Sequence, residues 1–313
     1  MALRRRGAIA GGVVAVVLAV AQGAAAQSGV QRGCDRDCLT DVMSQYIDAM
    51  VVQRDPKALP LSPSLKSTEN GLPAPLGEGL WRRAKAIRYR QIFADPAAGQ
   101  VGLYGVAERG GSLEVFYVRL KVAGGKITEA ETVGAGPGEA SLFAPEAMTT
   151  PDPIYDETVP PAKRTPRAQM IAAAQAYYDG IEQGDGSKVP AAAGCYRVEN
   201  GVQTQKLPQY VVAGHCNAGL SGFTYINPVR ARRYPIVDLE RGLVWAIVIM
   251  DIKGGPYTAT VDGKPVERVR PASSILVAEL FKVVAGRTRR MEVVMRNIPY
   301  GGPSGWPDDP AGR

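Results

Sequence analysis

The chain has 313 residues, of which 45% are hydrophobic and 21% charged, and a formal net charge of +7. That length suits two domains, and the balance of apolar and charged residues excludes disorder as the default state. Arg4, Arg5 and Arg6 hold three of the excess charges, and without them the charge falls from +7 to +4, a solubility feature that gives no reason to expect a nucleic-acid partner.

In chain order, residues 1–26 read first as a signal peptide. The three arginines form its positive start, Ala8 to Val20 is an unbroken run of small and apolar residues, and Ala24-Ala25-Ala26 offers a cleavage site. A stable membrane anchor is not expected. The run is rich in Ala and Gly, whereas a span needs about 20 strongly apolar residues. The expected location is the periplasm or the outside of the cell. Four cysteines in an exported chain are expected to be oxidised, and four allow three pairings. Cys34 and Cys38 are close enough to bridge if the first helical turn there is irregular, and Cys195 with Cys216 would staple a loop. A metal site has little support: no C-x2-C spacing occurs and His215 is the only histidine.

The next element is a helix with Leu39, Val42, Met43, Tyr46, Ile47 and Met50 at amphipathic spacing. A short helical or loop region follows, with Glu69-Asn70-Gly71 inside it. Val101–Val106 and Leu113–Val122 read as a hairpin turning at Arg109-Gly-Gly, and a further turn leads to the alternating segment Lys126–Val133. Residues 134–164 are rich in proline and glycine and read as a linker between a first domain over 34–133 and a second over 165–300. The second domain opens at Thr165-Pro166, read as an N-cap followed by proline at the first helical position. Its helical stripe is Met170, Ile171, Ala174, Tyr177, Tyr178 and Ile181. Strands are expected over Leu243–Asp251, Ser274–Val284 and Arg287–Met295, and residues 301–313 read as a flexible tail.

The second domain repeats the first. Tyr46-Ile-Asp48 matches Tyr177-Tyr-Asp179, and Glu69-Asn70-Gly71 matches Glu199-Asn200-Gly201. Asp95 with Gly99 and Val101 matches Asp238 with Gly242 and Val244. Leu120-Lys121-Val122, Gly125-Lys126 and Glu131 match Phe281-Lys282-Val283, Gly286-Arg287 and Glu292. A helix followed by strands is the order of an α+β layer. With these endings, each copy resembles the SnoaL-like, or nuclear-transport-factor-like, superfamily, and the whole mature chain resembles an exported tandem family of that kind. The resemblance implies two cone domains, each a curved antiparallel sheet wrapped around helices, joined as an intramolecular pseudo-dimer. It also implies a mainly apolar pocket for a small molecule.

Enzymes of that superfamily use an Asp, Glu or His base beside a Tyr, Asp or Arg that steadies negative charge, so the candidates follow from residue type. Glu199, His215, Tyr178 and Glu292 are the catalytic candidates, with Arg197 placed to orient or neutralise Glu199. Arg197 itself, Asn200, Tyr225, Trp245, Glu69 and Asn70 are ligand-binding candidates. Each has a plainer reading: Asn-Gly is a turn signal, aromatic side chains are core material, and strand carboxylates face the pocket or not according to register. No G-x-S-x-G, P-loop, H-E-x-x-H or strand-borne G-x-G-x-x-G motif occurs, so no cofactor is indicated. The expectation is a cofactor-independent lyase, isomerase or hydratase, with a non-catalytic ligand-binding module as the alternative.

Overall fold

A computed structural model of the chain describes residues 33–207, 216–223, 225–261 and 264–308. The expected signal peptide lies outside them.

Asp35 accepts from the Cys38 backbone N–H at 3.0 Å and so caps helix α1 (Arg36–Asp48), which buries Leu39, Met43, Tyr46 and Ile47. Cys34 precedes the cap, and this non-helical residue is what lets it bridge to Cys38. The strands that follow are β1 (Leu61–Glu69) and β2 (Leu72–Pro73). Helix α2 (Leu80–Arg83) comes next, and β3 (Ala86–Asp95), β4 (Gln100–Arg109), β5 (Ser112–Ala123) and β6 (Lys126–Ala135) complete the half.

The second half opens with α3 (Arg167–Gln183). Thr165 does not cap it: its hydroxyl accepts from Gly286 N–H at 2.9 Å, and Pro166 stands at the cap position. The remaining strands are β7 (Ala191–Glu199), β8 (Val202–Gln203), β9 (Ile226–Asp238), β10 (Leu243–Ile252), β11 (Gly255–Val261), β12 (Lys264–Arg270), β13 (Ser273–Val284) and β14 (Arg287–Ile298).

The protein is α+β, and its two six-stranded sheets have the same plan. Their orders are β2-β1-β6-β5-β4-β3 and β8-β7-β14-β13-β10-β9. Both sheets are mixed rather than antiparallel, because β1 runs parallel to β6 and β7 parallel to β14. Sequence patterning missed these strands. β1 contains Pro63 and four serine or threonine residues, and β7 begins Ala-Ala-Ala-Gly, a poor strand composition. Between β10 and β13 the chain forms the separate hairpin β11–β12.

Three apolar clusters hold the molecule together. One packs α1 against the inner face of the first sheet, and a second packs α3 against the inner face of the second. The third lies between the outer faces of the two sheets and includes Phe93, Tyr104, Tyr117, Ile236, Trp245 and Leu280. Trp245 stacks on Tyr117 with centroids 3.8 Å apart. It stands over Gly102, where an added Cβ would come within 2.7 Å of Ile236 and 3.1 Å of Tyr117. Partly buried ion pairs run between the halves in reciprocal fashion. Arg36 at the start of α1 meets Asp238 at 2.6 Å, and Arg167 at the start of α3 meets Asp95 at 2.6 Å.

The connecting segment is strapped into this contact by buried Met148, Ile154 and Tyr155. Beyond β14 the chain returns to the first half, where Trp306 Nε1 donates to Thr68 Oγ1 at 2.9 Å and Lys66 and Arg119 lie over its indole.

Candidate functional site

Register brings two carboxylates to the inner face of the second sheet. Glu199 on β7 is paired with Val293 on β14, which pairs with Glu279 on β13, which pairs with Ala246 on β10. Directly paired residues share a face, and Val293 and Ala246 both belong to the core beneath α3. Two strand spacings put the backbones of Glu199 and Glu279 about 10 Å apart. From α3, the Tyr178 hydroxyl donates to Glu279 Oε2 at 2.9 Å.

Arg197 lies two residues before Glu199 and so shares its face. It is only 4% exposed. Its Nη1 donates to the Cys216 carbonyl at 2.9 Å and to the Tyr177 hydroxyl at 3.4 Å, while its Nε sits 3.5 Å from Glu199 Oε1. The Cys195–Cys216 disulfide, also on this face, ties down the carbonyl that Arg197 holds.

Glu199 opens onto a cavity of about 430 Å³, whose walls include Tyr177, Tyr225, Met250, Ile275 and Met295. Arg270 covers the rim, its guanidinium 3.5 Å from the Tyr225 ring centroid. Burial pushes the Glu199 carboxyl above its ordinary value, with Arg197 opposing the shift. Burial also raises Glu279, to about 8; the Tyr178 hydrogen bond opposes this and the neighbouring Glu199 adds to it. At neutral pH Glu279 is therefore mainly a neutral acid. An apolar chamber with one carboxyl raised above its ordinary value at its wall and a protonated one behind it can accept and return a proton.

Of the residues singled out in the sequence, Glu199, Arg197, Tyr178 and Tyr225 do converge here. Glu292 does not: it is one residue from Val293 and points to the opposite face of the sheet, toward the first half. Trp245 also belongs to that outer face and is fully buried between the sheets rather than beside a ligand. Asn70 and Asn200 form turns with φ of 53° and 45°. Asn70 Oδ1 accepts from Gly134 N–H, and both polar ends of the Asn200 amide bond to backbone, Oδ1 accepting from Met295 N–H and Nδ2 donating to the Leu142 and Met295 carbonyls. The Asn200 amide has no polar end left for a ligand, and Asn70 spends its oxygen on the turn. His215 lies outside the described residues.

Glu279 was not among the catalytic candidates; it and Glu292 lie on strands whose register the sequence leaves open. Its signal was a paired difference between the copies: Tyr178 and Glu279 stand where the first half has Ile47 and Val118.

The first half has the same frame and a different interior. Glu69, at the position of Glu199, accepts from Leu80 N–H at 2.8 Å and from Arg83 Nη2 at 2.9 Å. Trp81 Nε1 donates to the Tyr46 hydroxyl at 2.8 Å, and the two rings meet edge to face. Helix α2 thus plugs the space below Glu69.

Among the described residues no group of three or more His, Cys, Asp or Glu side chains could hold a metal ion. Comparison with known proteins leaves the chemistry open. A family model described as "Domain of unknown function (DUF8021)" matches residues 163–295, most of the second half. No curated protein matches. Among solved structures, the chain is similar to a de novo designed protein with a curved β-sheet, at 17% identity and TM-score 0.28, over 32% of this chain and 88% of that one. It is also similar to a SnoaL-like polyketide cyclase from Agrobacterium tumefaciens, at 15% identity and TM-score 0.23, over 40% of this chain and 90% of that one. TerC co-crystallised with polyporic acid gives 15% identity and TM-score 0.24, over 40% and 89%. At these scores the fold class stands on the observed strand order and register.

Proposed function

We propose that the second half is a small-molecule site in which Glu199 shuttles a proton on a mainly apolar ligand, as a cofactor-independent isomerase, lyase or hydratase would. The observation that carries this reading is the position of Glu199: a carboxyl raised by burial, held by Arg197 at 3.5 Å, at the wall of a cavity of about 430 Å³. In its ionised form Glu199 takes a proton from the bound molecule and later returns it at another atom. Arg197 keeps enough ionised carboxylate available and sets its orientation. Tyr177 offers a hydroxyl to negative charge developing on the ligand, and Glu279, neutral and tied to Tyr178, avoids a second buried negative charge.

The rest of the proposal concerns the whole chain. Two disulfides, and the fact that no described helix is long and apolar enough to cross a membrane, are compatible with a periplasmic or secreted protein whose residues 1–26 are removed. The reciprocal Arg36–Asp238 and Arg167–Asp95 pairs support an intramolecular pseudo-dimer of two SnoaL-like halves, because an isologous contact pairs each residue with its counterpart's partner.

The experiment is capture of metabolites by purified protein, followed by incubation of each captured compound with the protein in D2O. The reading predicts deuterium incorporation at a carbon adjacent to an activating group, at least about a hundredfold slower in Glu199→Gln while binding is retained. Captured ligands that bind normally and never exchange would replace this reading with a non-catalytic binding module.

A further inference from the structure

A second cavity, of about 370 Å³, lies where β3, the connecting segment and strands β7, β8 and β14 meet. It is separate from the Glu199 chamber, on the opposite face of the second sheet. Glu292 lines it, 7% exposed and with no hydrogen-bond partner among the described residues. The Tyr155 hydroxyl, on a residue 1% exposed in the same wall, is also unpartnered. The other carboxylate present is already satisfied: Asp152 accepts from Arg290 Nε at 2.9 Å and from the Tyr196 hydroxyl at 3.3 Å. Exposed Thr150 and Lys206 form part of the lining and give the cavity an edge on solvent.

The first half indicates what Glu292 lacks. At the corresponding register position Glu131 is equally buried, but it is held by two guanidinium groups. Arg119 Nε donates to it at 2.9 Å, and Arg233, reaching over from the second half, donates at 2.5 and 3.1 Å. Arg119 is the strand neighbour of Glu131, whereas the strand neighbour of Glu292 is Leu280. Arg233 pairs with Ile247 in the second sheet; at the matching place in the first sheet Gln91 pairs with Tyr104, and its Nε2 has no partner. Both cations are therefore replaced by neutral groups, while the carboxyl and the space around it remain. Tyr89 and Tyr155 supply aromatic surface suited to a positive charge, while the Tyr196 ring is already covered by the Arg290 guanidinium at 3.5 Å.

We infer that this cavity binds a small organic cation, an amine or a guanidine, whose charge takes the place against Glu292 that Arg119 and Arg233 take against Glu131. Burial, with Asp152 adding to it, raises the empty Glu292 to about 8. Arg290 on its own strand opposes the shift; Tyr89, Tyr155, Tyr196 and Lys206 are the other titratable groups in the lining. A cation needs the ionised carboxylate, so affinity should rise about tenfold per pH unit up to about pH 8 and then level off.

The test is calorimetric titration of the full chain with methylguanidinium and n-butylammonium chlorides, with butyrate as the anionic control. The expected result is saturable one-to-one binding of at least one cation, with a dissociation constant of about 1 mM or tighter, and none of butyrate. Glu292→Gln should weaken it at least tenfold, Tyr155→Phe severalfold, and Glu199→Gln not at all, each variant having a wild-type near-UV spectrum. No saturable binding of either cation, affinity that falls as pH rises, or binding that survives Glu292→Gln and disappears in Glu199→Gln would overturn the assignment. Because Glu199→Gln reports on the other chamber, this outcome is independent of the proton-shuttle reading.

Discussion

The two halves share a strand order and a starting helix, yet they use the same inner position in opposite ways. In the first, Glu69 is spent on the Leu80 N–H and on Arg83, and Trp81 fills the space beside Tyr46. In the second, Glu199 meets a cavity, and a carboxyl and a tyrosine are added behind it at positions where the first half has Val118 and Ile47. On the outer faces the contrast repeats: Glu131 is held by two arginines, and Glu292 by none among the described residues. One half is a filled scaffold and the other keeps unspent polar groups. A buried carboxyl that is fully paired reads as structure; its unpaired counterpart reads as a site.

The largest effect is expected where the pairing is complete. Glu131→Ala leaves Arg233 buried without its ion-pair partner and Arg119 with Glu129 alone, and should lower stability by about 3 kcal/mol or more in urea unfolding. Glu292→Ala, at the matching position, should cost much less; equal losses would break the comparison.

Opening the first half comes next. Trp81→Ala should cost about 3 kcal/mol through cavity formation and create a new binding site for a small apolar probe beside Tyr46. Unchanged stability would mean that Trp81 is not the plug.

Glu279→Gln should act through pH. The wild-type carboxyl titrates near 8 when folded, against an ordinary value of 4.5. Below about pH 4 it is protonated in both states and contributes nothing. Between the two values only the unfolded chain releases the proton, so wild-type stability falls as pH rises and then levels off above about 8. The glutamine variant escapes this loss, and should be more stable than wild type at about pH 8 and equal to it at about pH 4. Equal stability of the two proteins at about pH 8 would contradict the burial of a neutral acid.

The smallest effect should come from copying the first half into the second. Tyr178→Ile with Glu279→Val replaces a satisfied polar pair by the apolar pair already used at Ile47 and Val118, and should change stability by less than about 1 kcal/mol, whereas Tyr178→Ile alone should cost more. Additive single and double effects would show that the pair is not coupled.

Much of the frame was legible in the sequence because it is periodic. The stripes of α1 and α3 and the hairpins β4–β5 and β13–β14 follow from spacing and glycine turns alone. β1 and β7 were not legible, because they are short of strand-forming residues and owe their form to pairing with β6 and β14. Within the site, Glu199 could be named from the repeated Glu-Asn-Gly and Arg197 from its nearness in sequence, whereas the strand that puts them on one face could not. Which of Glu279 and Glu292 faces the chamber could not be, since the answer is a matter of register. Trp245 illustrates a different limit: its type suits a ligand or a core equally well, and only the glycine opposite it, Gly102 on the other sheet, decides.

The most direct test of the contrast between the halves is a ¹³C-methyl methionine spectrum recorded while a captured ligand is added. Met250 and Met295 line the second-half chamber, and Met43 and Met50 belong to the first-half core. The account predicts saturable shifts of Met250 and Met295 with Met43 and Met50 unmoved. Shifts of Met43 and Met50 with Met250 and Met295 unchanged would contradict it.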